Sequence, residues 1–185
     1  MIVTNDDELA EKLRILRTHG MTAMTWDRHK GHAWSYDVTA LGYNYRIDEI
    51  HSALGREQLK KLDKNNDIRR HLTSLYREYL QELAPQVSLP FEKVRGISAC
   101  HLMPILLPKE TKREAFMEEM KLQGIQTSIH YPPTHSFQAY ADIPHQPLPV
   151  TEDVAAREVT LPLYPTLTGA QVSMVAQAVQ NSLKK

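Results

Sequence analysis

The chain has 185 residues, of which 42% are hydrophobic, enough to bury a real core and to exclude wholesale disorder. The chain has 22 basic residues (Lys and Arg) and 22 acidic residues (Asp and Glu). This balance argues against a nucleic-acid partner and against a polybasic segment that binds a membrane. The single cysteine excludes an intramolecular disulfide, and no apolar run approaches the ~20 residues of a membrane-spanning helix. Without a signal-peptide pattern, the chain is expected to be cytoplasmic, with no nucleic-acid or membrane partner.

The first predicted elements are a strand end at residues 1–3 and a helix after it. Residues 4–7 have the Thr-x-x-acid pattern of a helix start. Leucines 9, 13 and 16 repeat at helical spacing, and His19-Gly20 indicates the stop. Residues 20–42 show no period, although the two tryptophans among them favour ordered structure.

A long helical pattern occupies the middle of the chain. Apolar residues at helical spacing run from Ile47 to Leu83, and Asp48 in the first turn is favourable beside the helix dipole. Pro85 ends the pattern. We predict two helices or one bent helix, a reach that is typical of an element linking two domains or packing on a partner.

Three segments after this helix have the patterns of strands. They are residues 87–89, 99–107 and 125–130. Pro104 lies in the second segment and demotes part of it to an edge or a bend, because proline cannot donate to a strand ladder. These segments predict a sheet in a small α+β unit.

Three helices are predicted to accompany the strands. Residues 111–114 form a capping-box pattern that opens a helix ending at Gly124. A short helix begins at Thr151, and residues 168–171 cap a last helix that runs to about Leu183.

Three motifs follow one another along the chain. They are Gly42-Tyr43-Asn44-Tyr45-Arg46, His130-Tyr131-Pro132-Pro133-Thr134-His135 and Leu161-Pro162-Leu163-Tyr164-Pro165. Taken alone, the first is a turn before a helix, but several motifs in one order are more specific than any one of them. Together they resemble the DegT/DnrJ/StrS family of pyridoxal-phosphate sugar aminotransferases, and the resemblance covers nearly the whole chain.

The resemblance implies an α/β fold class, with the chain as the C-terminal part of a fold type I aminotransferase and α+β in itself. It implies a long linking helix and a small domain of antiparallel strands plus helices. Residues 1–45 are then a remnant of the large cofactor-binding domain with an active-site loop. Residues 46–84 are the long linking helix region, and residues 85–185 are the small C-terminal α+β domain.

The resemblance also implies that Asn44 binds the cofactor. In the family, the matching asparagine reaches across a dimer interface to the cofactor phosphate of the other subunit. A short amide can donate to a phosphate oxygen, and a nearby helix start adds a favourable dipole. Arg46 is a second candidate for the phosphate, although an arginine at a helix start more often pairs with a carboxylate.

His130, Tyr131 and His135 are predicted to bind the substrate, because this loop lines the mouth of the sugar-nucleotide site in the family. Their neutral side chains would donate to hydroxyls and phosphates. A structural loop is the alternative, as is a metal clip with His101 or His145. Zinc needs three or four converging ligands, and the spacing provides only two.

Trp26 and Arg28, with Trp34 nearby, are the other predicted substrate contacts. A guanidinium beside an aromatic face suits a nucleotide diphosphate and its base. An interface plug between subunits explains the same residues equally well. Residues 161–165 contain no reactive group, so we interpret them as packing and expect Tyr164 in the core of the small domain.

The resemblance places the Schiff-base lysine, the acid on the pyridine nitrogen and the group over the ring before the first residue of this chain. None of the eleven lysines lies in a matching motif. We therefore predict no catalytic residue here and an inactive chain by itself. The intact homodimer would use pyridoxal 5'-phosphate to move an amino group from an amino acid, glutamate above all, to a nucleotide-linked keto sugar.

Three hypotheses about the chain itself stay open. It is the C-terminal part of a sugar aminotransferase, or it is a short protein that pairs with a separate N-terminal half. Alternatively, it is a non-catalytic binding or regulatory module that kept the dimerisation surface. The first hypothesis predicts an exposed apolar patch where the large domain would pack.

Overall fold

The structure is a computed structural model that describes residues 2–22, 37–93 and 95–184. The chain divides into two compact units, Met1–Lys60 and Lys61–Lys185, so the division lies inside the long helix. The three-part arrangement into 1–45, 46–84 and 85–185 remains a prediction. No helix in the described ranges is both long and apolar enough to cross a bilayer.

Helix α1 of the first unit spans Asp7–Leu16. Its N-cap is Asp6, whose side chain accepts the Leu9 N–H at 3.0 Å. The predicted cap pattern began at Thr4, but the Thr4 hydroxyl instead accepts the Asp6 N–H. The strand end predicted at residues 1–3 is wrong for residues 2 and 3, which are not in a strand because no described residue of this unit supplies ladder hydrogen bonds to them.

Helix α2 is one continuous helix over Glu49–Leu83, 35 residues long. Asp48 precedes it as a cap rather than lying in its first turn, and a carboxylate oxygen accepts the His51 N–H at 2.8 Å. Hydrogen bonds from the backbone and side chain of His51 lower the pKa of Asp48. The predicted end before Pro85 is confirmed. Only the C-terminal part of α2 is buried, through Leu72, Tyr76 and Leu80.

Two antiparallel strands form the centre of the second unit: β1, Met103–Leu106, and β2, Glu158–Leu161. Ser88 forms an isolated antiparallel bridge with Leu106 of β1, and Ser128 forms one with Thr160 of β2. The strands predicted at 87–89 and 125–130 are therefore reduced to single bridges that extend the two-stranded sheet on either side.

Pro104 lies within β1 and does not interrupt it. It pairs with Thr160, whose N–H and C=O both bond to Ser128 on the opposite side of β2. Pro104 and Thr160 are therefore a non-hydrogen-bonded pair, and the proline nitrogen faces away from β2. The predicted edge position is confirmed, because β1 is one of only two strands that the described residues form in this sheet, and the missing donor lies on the side where β2 requires none; the alternative of a bend does not occur.

Three helices complete the second unit: α3, Arg113–Leu122; α4, Pro149–Arg157; and α5, Gly169–Ser182. The capping box predicted at 111–114 does not form, because the N-cap of α3 is Lys112 and makes no side-chain cap. Helix α4 begins at Pro149, two residues before the predicted start, with proline in the first turn. The capping box of α5 is confirmed, with Thr168 and Gln171 as partners.

The core of the second unit lies between the sheet and helices α2, α3 and α5. Tyr76 is fully buried and donates its hydroxyl to the Pro162 carbonyl at 2.8 Å, and burial raises its pKa. Tyr164 is 44% exposed, so its predicted core position is wrong and Tyr76 fills that role. Other fully buried members are Leu80, Met103, Ile105, Leu107, Phe116, Met120, Val159, Val172 and Val179.

Replacing Thr168 by alanine is expected to destabilise the second unit by about 1 kcal/mol, because the change removes the side-chain cap of α5. Urea unfolding followed by far-ultraviolet circular dichroism measures the change. Thr166→Ala is the control, since Thr166 is exposed and lies outside the cap. Equal destabilisation by both variants would contradict the role of the capping box.

The first unit buries little of its own apolar surface. In its described part, residues 2–22 and 37–60, only Thr18 and Gly20 are buried. Helix α1 buries none of its residues. The exposed large apolar side chains of this unit are Ile2, Val3, Leu9, Val38, Leu41, Tyr43, Tyr45, Ile47, Ile50, Leu54 and Leu59.

Candidate functional site

The Asn44 turn, residues 41–46, is held by backbone hydrogen bonds to the end of α1. The Tyr43 N–H donates to the Leu16 carbonyl at 2.7 Å, and the His19 N–H donates to the Tyr43 carbonyl at 3.0 Å. The Tyr45 N–H donates to the carbonyl of Arg17, and Asn44 pairs with Thr18. The backbone on both sides of Asn44 is therefore anchored, although the residue itself is exposed.

Two glycines make this close approach possible. A Cβ at Gly42 would lie 2.1 Å from the Gly20 nitrogen and 2.5 Å from the His19 carbonyl carbon. A Cβ at Gly20 would lie 1.9 Å from the Ala40 oxygen, and Gly20 has a φ of +74°. Only glycine fits both positions, so the sequence around Asn44 is tied to this backbone geometry.

Three polar side chains meet at the Asn44 turn. The Arg46 Nε–H donates to the Asn44 Oδ1 at 3.3 Å, and an Arg46 Nη lies 3.3 Å from the His19 Nε2. The rings of Tyr43 and Tyr45 stack beside them with centroids 5.0 Å apart. In the described ranges, Arg46 forms no ion pair with a carboxylate, contrary to what is usual at a helix start.

The second cluster surrounds His130 in the second unit. The His130 Nδ1 lies 2.9 Å from the Thr160 Oγ1 and 3.4 Å from the Ser128 Oγ. The His130 N–H donates to one Glu158 oxygen at 2.9 Å, and the Thr160 hydroxyl donates to the other at 2.5 Å. The Tyr131 ring meets the imidazole edge to face, with centroids 4.9 Å apart. The structure thus brings His130 and Tyr131 together above two polar side chains of β2.

Glu158 and Thr160 are functional candidates that the sequence reasoning missed. Both are only 5% exposed, and they alternate with Val159 and Leu161, which face the core. In a strand, residues two apart project from the same face. The alternation Glu-Val-Thr-Leu before the motif at 161–165 is the signal that could have identified them.

His135 has different neighbours. Its Nε2 lies 3.5 Å from a Glu152 oxygen on α4, and its ring lies 4.7 Å from the His145 ring. Together with Arg113, His135 lines a cleft of about 450 Å³. Within residues 2–22, 37–93 and 95–184, no group of three or more His, Cys, Asp or Glu side chains could hold a metal ion.

The predicted substrate residues Trp26 and Arg28, like Trp34 beside them, lie outside the described residues. Their assignment stays a prediction. The roles of Asn44, His130, Tyr131 and His135 also remain predictions, although the structure describes the position and contacts of each side chain.

Comparison with models of known protein families identifies the family of this chain. The model of the DegT/DnrJ/EryC1/StrS aminotransferase family matches residues 1–180. The chain belongs to this family. The predicted resemblance is therefore confirmed, and the family is one of pyridoxal-phosphate-dependent sugar aminotransferases.

Individual relatives agree with the family assignment. The dTDP-3-amino-3,6-dideoxy-alpha-D-galactopyranose transaminase of Aneurinibacillus thermoaerophilus is 34% identical over 179 residues, covering 96% of this chain and 45% of the relative. The spore coat polysaccharide biosynthesis protein SpsC of Bacillus subtilis strain 168 is 30% identical over 192 residues, covering 100% of this chain and 49% of the relative. The chain spans about half the length of these relatives.

A solved structure confirms the predicted fold class. The Helicobacter pylori aminotransferase PseC, involved in the biosynthesis of pseudoaminic acid, superimposes with a TM-score of 0.86. It is 30% identical, and the match covers 98% of this chain and 48% of that one. The mixed helices and strands described above are thus an α/β aminotransferase fold over that half.

The Asn44 turn fits the phosphate group of the family cofactor. Because the Asn44 Oδ1 accepts from Arg46, the amide presents its Nδ2 hydrogens, which have no partner within the described residues. The Arg46 guanidinium adds a permanent positive charge beside them. Amide and guanidinium donors next to a helix start are the groups that bind a phosphate well.

Proposed function

We propose that this chain is the C-terminal portion of an enzyme that transfers an amino group to a nucleotide-linked keto sugar. The amino donor is an amino acid, for which glutamate is the candidate, and the cofactor is pyridoxal 5'-phosphate. The family match and the transaminase among the relatives support this proposal. The finer points, which are the donor, the homodimer and the fragment status, belong to the proposal alone.

The observation that carries the proposal is the anchored Asn44 turn. It presents amide hydrogens and the Arg46 charge from a backbone that two glycines hold in place. We assign Asn44 to the cofactor phosphate of the neighbouring subunit. The cofactor, when bound, supplies the electron sink for the reacting carbon. This chain's own task at Asn44 is to bind and orient.

The substrate contacts are assigned to the loop after Ser128. His130 and Tyr131 would contact hydroxyl groups of the sugar, and His135 would contact the same ligand or its phosphates. Trp26 and Arg28 are assigned to the nucleotide. The supporting geometry is the His130 network on β2, which holds the imidazole through its Nδ1.

The exposed apolar side chains of the first unit support the proposal that another polypeptide segment packs on this unit. Within residues 2–22 and 37–60 of this unit only Thr18 and Gly20 are buried, so these described residues form no core among themselves. We propose that the segment carrying the Schiff-base lysine covers this surface. The chain alone is then inactive, and the same surface fits either one longer polypeptide or a separately encoded half.

The test uses the reading frame that adjoins the Met1 codon. Its product is expressed together with this chain, and the transfer of an amino group from glutamate to a dTDP-linked keto sugar is measured. Cofactor absorbance and transfer in the pair, with neither in the chain alone, are expected. A well-folded, monodisperse chain that binds no such partner and no cofactor would instead favour the non-catalytic binding or regulatory module.

Replacing Asn44 by alanine is expected to weaken cofactor binding about tenfold or more in the assembled enzyme. The change removes a hydrogen bond to a charged phosphate, which is worth about 1.5–3 kcal/mol. Titration of the visible cofactor absorbance measures the dissociation constant. Asn5→Ala is the matched control, because Asn5 is exposed and distant in sequence from the turn. An unchanged dissociation constant for Asn44→Ala would remove Asn44 from the cofactor site.

A further inference from the structure

The His130 network contains a carboxylate, a hydroxyl and an imidazole in a single hydrogen-bond chain. We propose that Glu158 and Thr160 are positioning residues that fix His130 as the Nδ1–H tautomer. This makes Nε2 a hydrogen-bond acceptor for a substrate hydroxyl. The identity of that ligand rests on the proposed function, whereas the tautomer follows from the network itself.

The direction of donation in this hydrogen-bond network is set by Glu158. An ionised carboxylate has no proton to donate, so both of its oxygens accept. One oxygen receives the backbone N–H of His130 at 2.9 Å, and the other receives the Thr160 hydroxyl at 2.5 Å. Glu158 is 5% exposed, and among the described residues it forms no ion pair. These two donors therefore stabilise its charge in place of water.

Because Thr160 donates to Glu158, it must accept a hydrogen bond from the His130 imidazole. Its hydroxyl has one proton, and the carboxylate takes it. The remaining lone pairs of the Thr160 Oγ1 face the His130 Nδ1 at 2.9 Å. An unprotonated Nδ1 would place two lone pairs against each other at that distance. Nδ1 therefore carries the proton and donates it to Thr160.

Ser128 is the competing partner, and its position is less favourable. Its oxygen lies 3.4 Å from the His130 Nδ1, beyond the usual length of a hydrogen bond donated by a hydroxyl. Ser128 is also exposed, so water can satisfy its hydroxyl. The shorter contact to the buried Thr160 decides the tautomer.

The consequence appears at the other ring nitrogen. A neutral imidazole protonated at Nδ1 has an unprotonated Nε2, which accepts. Among the described residues of the second unit, no donor lies within hydrogen-bond distance of the His130 Nε2. A hydroxyl of the sugar is the donor that completes it. His130 thus binds its ligand as an acceptor, which differs from the donor role expected from the sequence.

Nitrogen-15 NMR of the full chain labelled in its histidines tests the tautomer directly. In the neutral form, the His130 Nδ1 is expected at the protonated position of the spectrum and Nε2 at the unprotonated position. Comparison with His130→Gln assigns the signals among the nine histidines. A spectrum with Nε2 protonated would overturn the proposal.

The variant Glu158→Gln is expected to reverse the tautomer without changing the shape of the side chain. The His130 N–H can only donate, so the glutamine oxygen must face it and the amide NH₂ must face Thr160. The Thr160 hydroxyl then accepts from the amide and donates to the His130 Nδ1, which moves the ring proton to Nε2. Retention of the Nδ1–H tautomer in a folded Glu158→Gln chain would overturn the proposal.

Ser128→Ala is the matched control and is expected to leave the Nδ1–H tautomer in place. A switch in this variant would assign the control of the tautomer to Ser128 and contradict the proposal. These measurements need neither cofactor nor partner, so failure of the proposed function leaves their outcome unaffected.

Discussion

Replacing Phe116 by alanine is expected to lower the free energy of unfolding of the second unit by about 3–5 kcal/mol. Phe116 is 1% exposed and lies on the buried face of α3 with Met120. Truncation to alanine removes the transfer free energy of the ring and leaves a cavity that the sheet and α5 cannot fully close. Urea unfolding followed by far-ultraviolet circular dichroism measures the loss of unfolding free energy.

Phe91→Ala is the matched control for the core substitution. Phe91 is 73% exposed, and the same chemical change there is expected to alter the unfolding free energy by about 0.5 kcal/mol or less. A loss below about 1 kcal/mol for Phe116→Ala, at an unchanged urea dependence, would show that α3 does not pack on the core as described.

Replacing Gly42 by alanine is expected to break the Asn44 turn and to abolish cofactor binding in the assembled enzyme. The new Cβ would lie 2.1 Å from the Gly20 nitrogen, and neither Gly20 nor residue 42 can move aside without the loss of backbone hydrogen bonds that hold the turn. Amide hydrogen exchange measures the effect. Protection of His19 and Tyr43 is expected to fall about tenfold or more, as the loss of their backbone hydrogen bonds predicts.

Gly55→Ala makes the same chemical change in the same unit with the opposite expected sign. Gly55 lies inside α2, and a Cβ there meets nothing within 4 Å. Alanine is favoured over glycine in a helix by about 0.5–1 kcal/mol, so this variant is expected to stabilise α2 and to leave His19 and Tyr43 protected. Unchanged exchange in Gly42→Ala would contradict the close backbone contact with Gly20.

Local signals predicted the helices well and the strands poorly. The helix after Thr168 was identified from its capping box, and the end of α2 was identified from Pro85, because such signals act within a few residues. The strands predicted at 87–89 and 125–130 have alternating patterns but form only one bridge each. A strand needs a partner along its length, and that partner is remote in the sequence.

The sequence indicates that the chain has a hydrophobic core, but it does not indicate which tyrosine belongs to that core. Tyr76 and Tyr164 have the same side chain, and neither local pattern distinguishes which of them is buried. The distinction depends on a hydrogen bond from Tyr76 to the Pro162 carbonyl, 86 residues away. Since a buried tyrosine hydroxyl requires a partner, only the three-dimensional arrangement decides which tyrosine can be buried.

By itself, the sequence determined the family, the succession of helices and the presence of the Asn44 and His130 motifs, because each of these is encoded by neighbouring residues in a fixed order. The tertiary structure alone decided which groups surround His130. Glu158 and Thr160 lie 28 and 30 residues away along the chain, and strand pairing with Ser128 brings them to the imidazole. The hydrogen-bond direction that sets the tautomer therefore exists only once β2 and the loop are assembled, since no local pattern in the sequence specifies the partners of a side chain across a sheet.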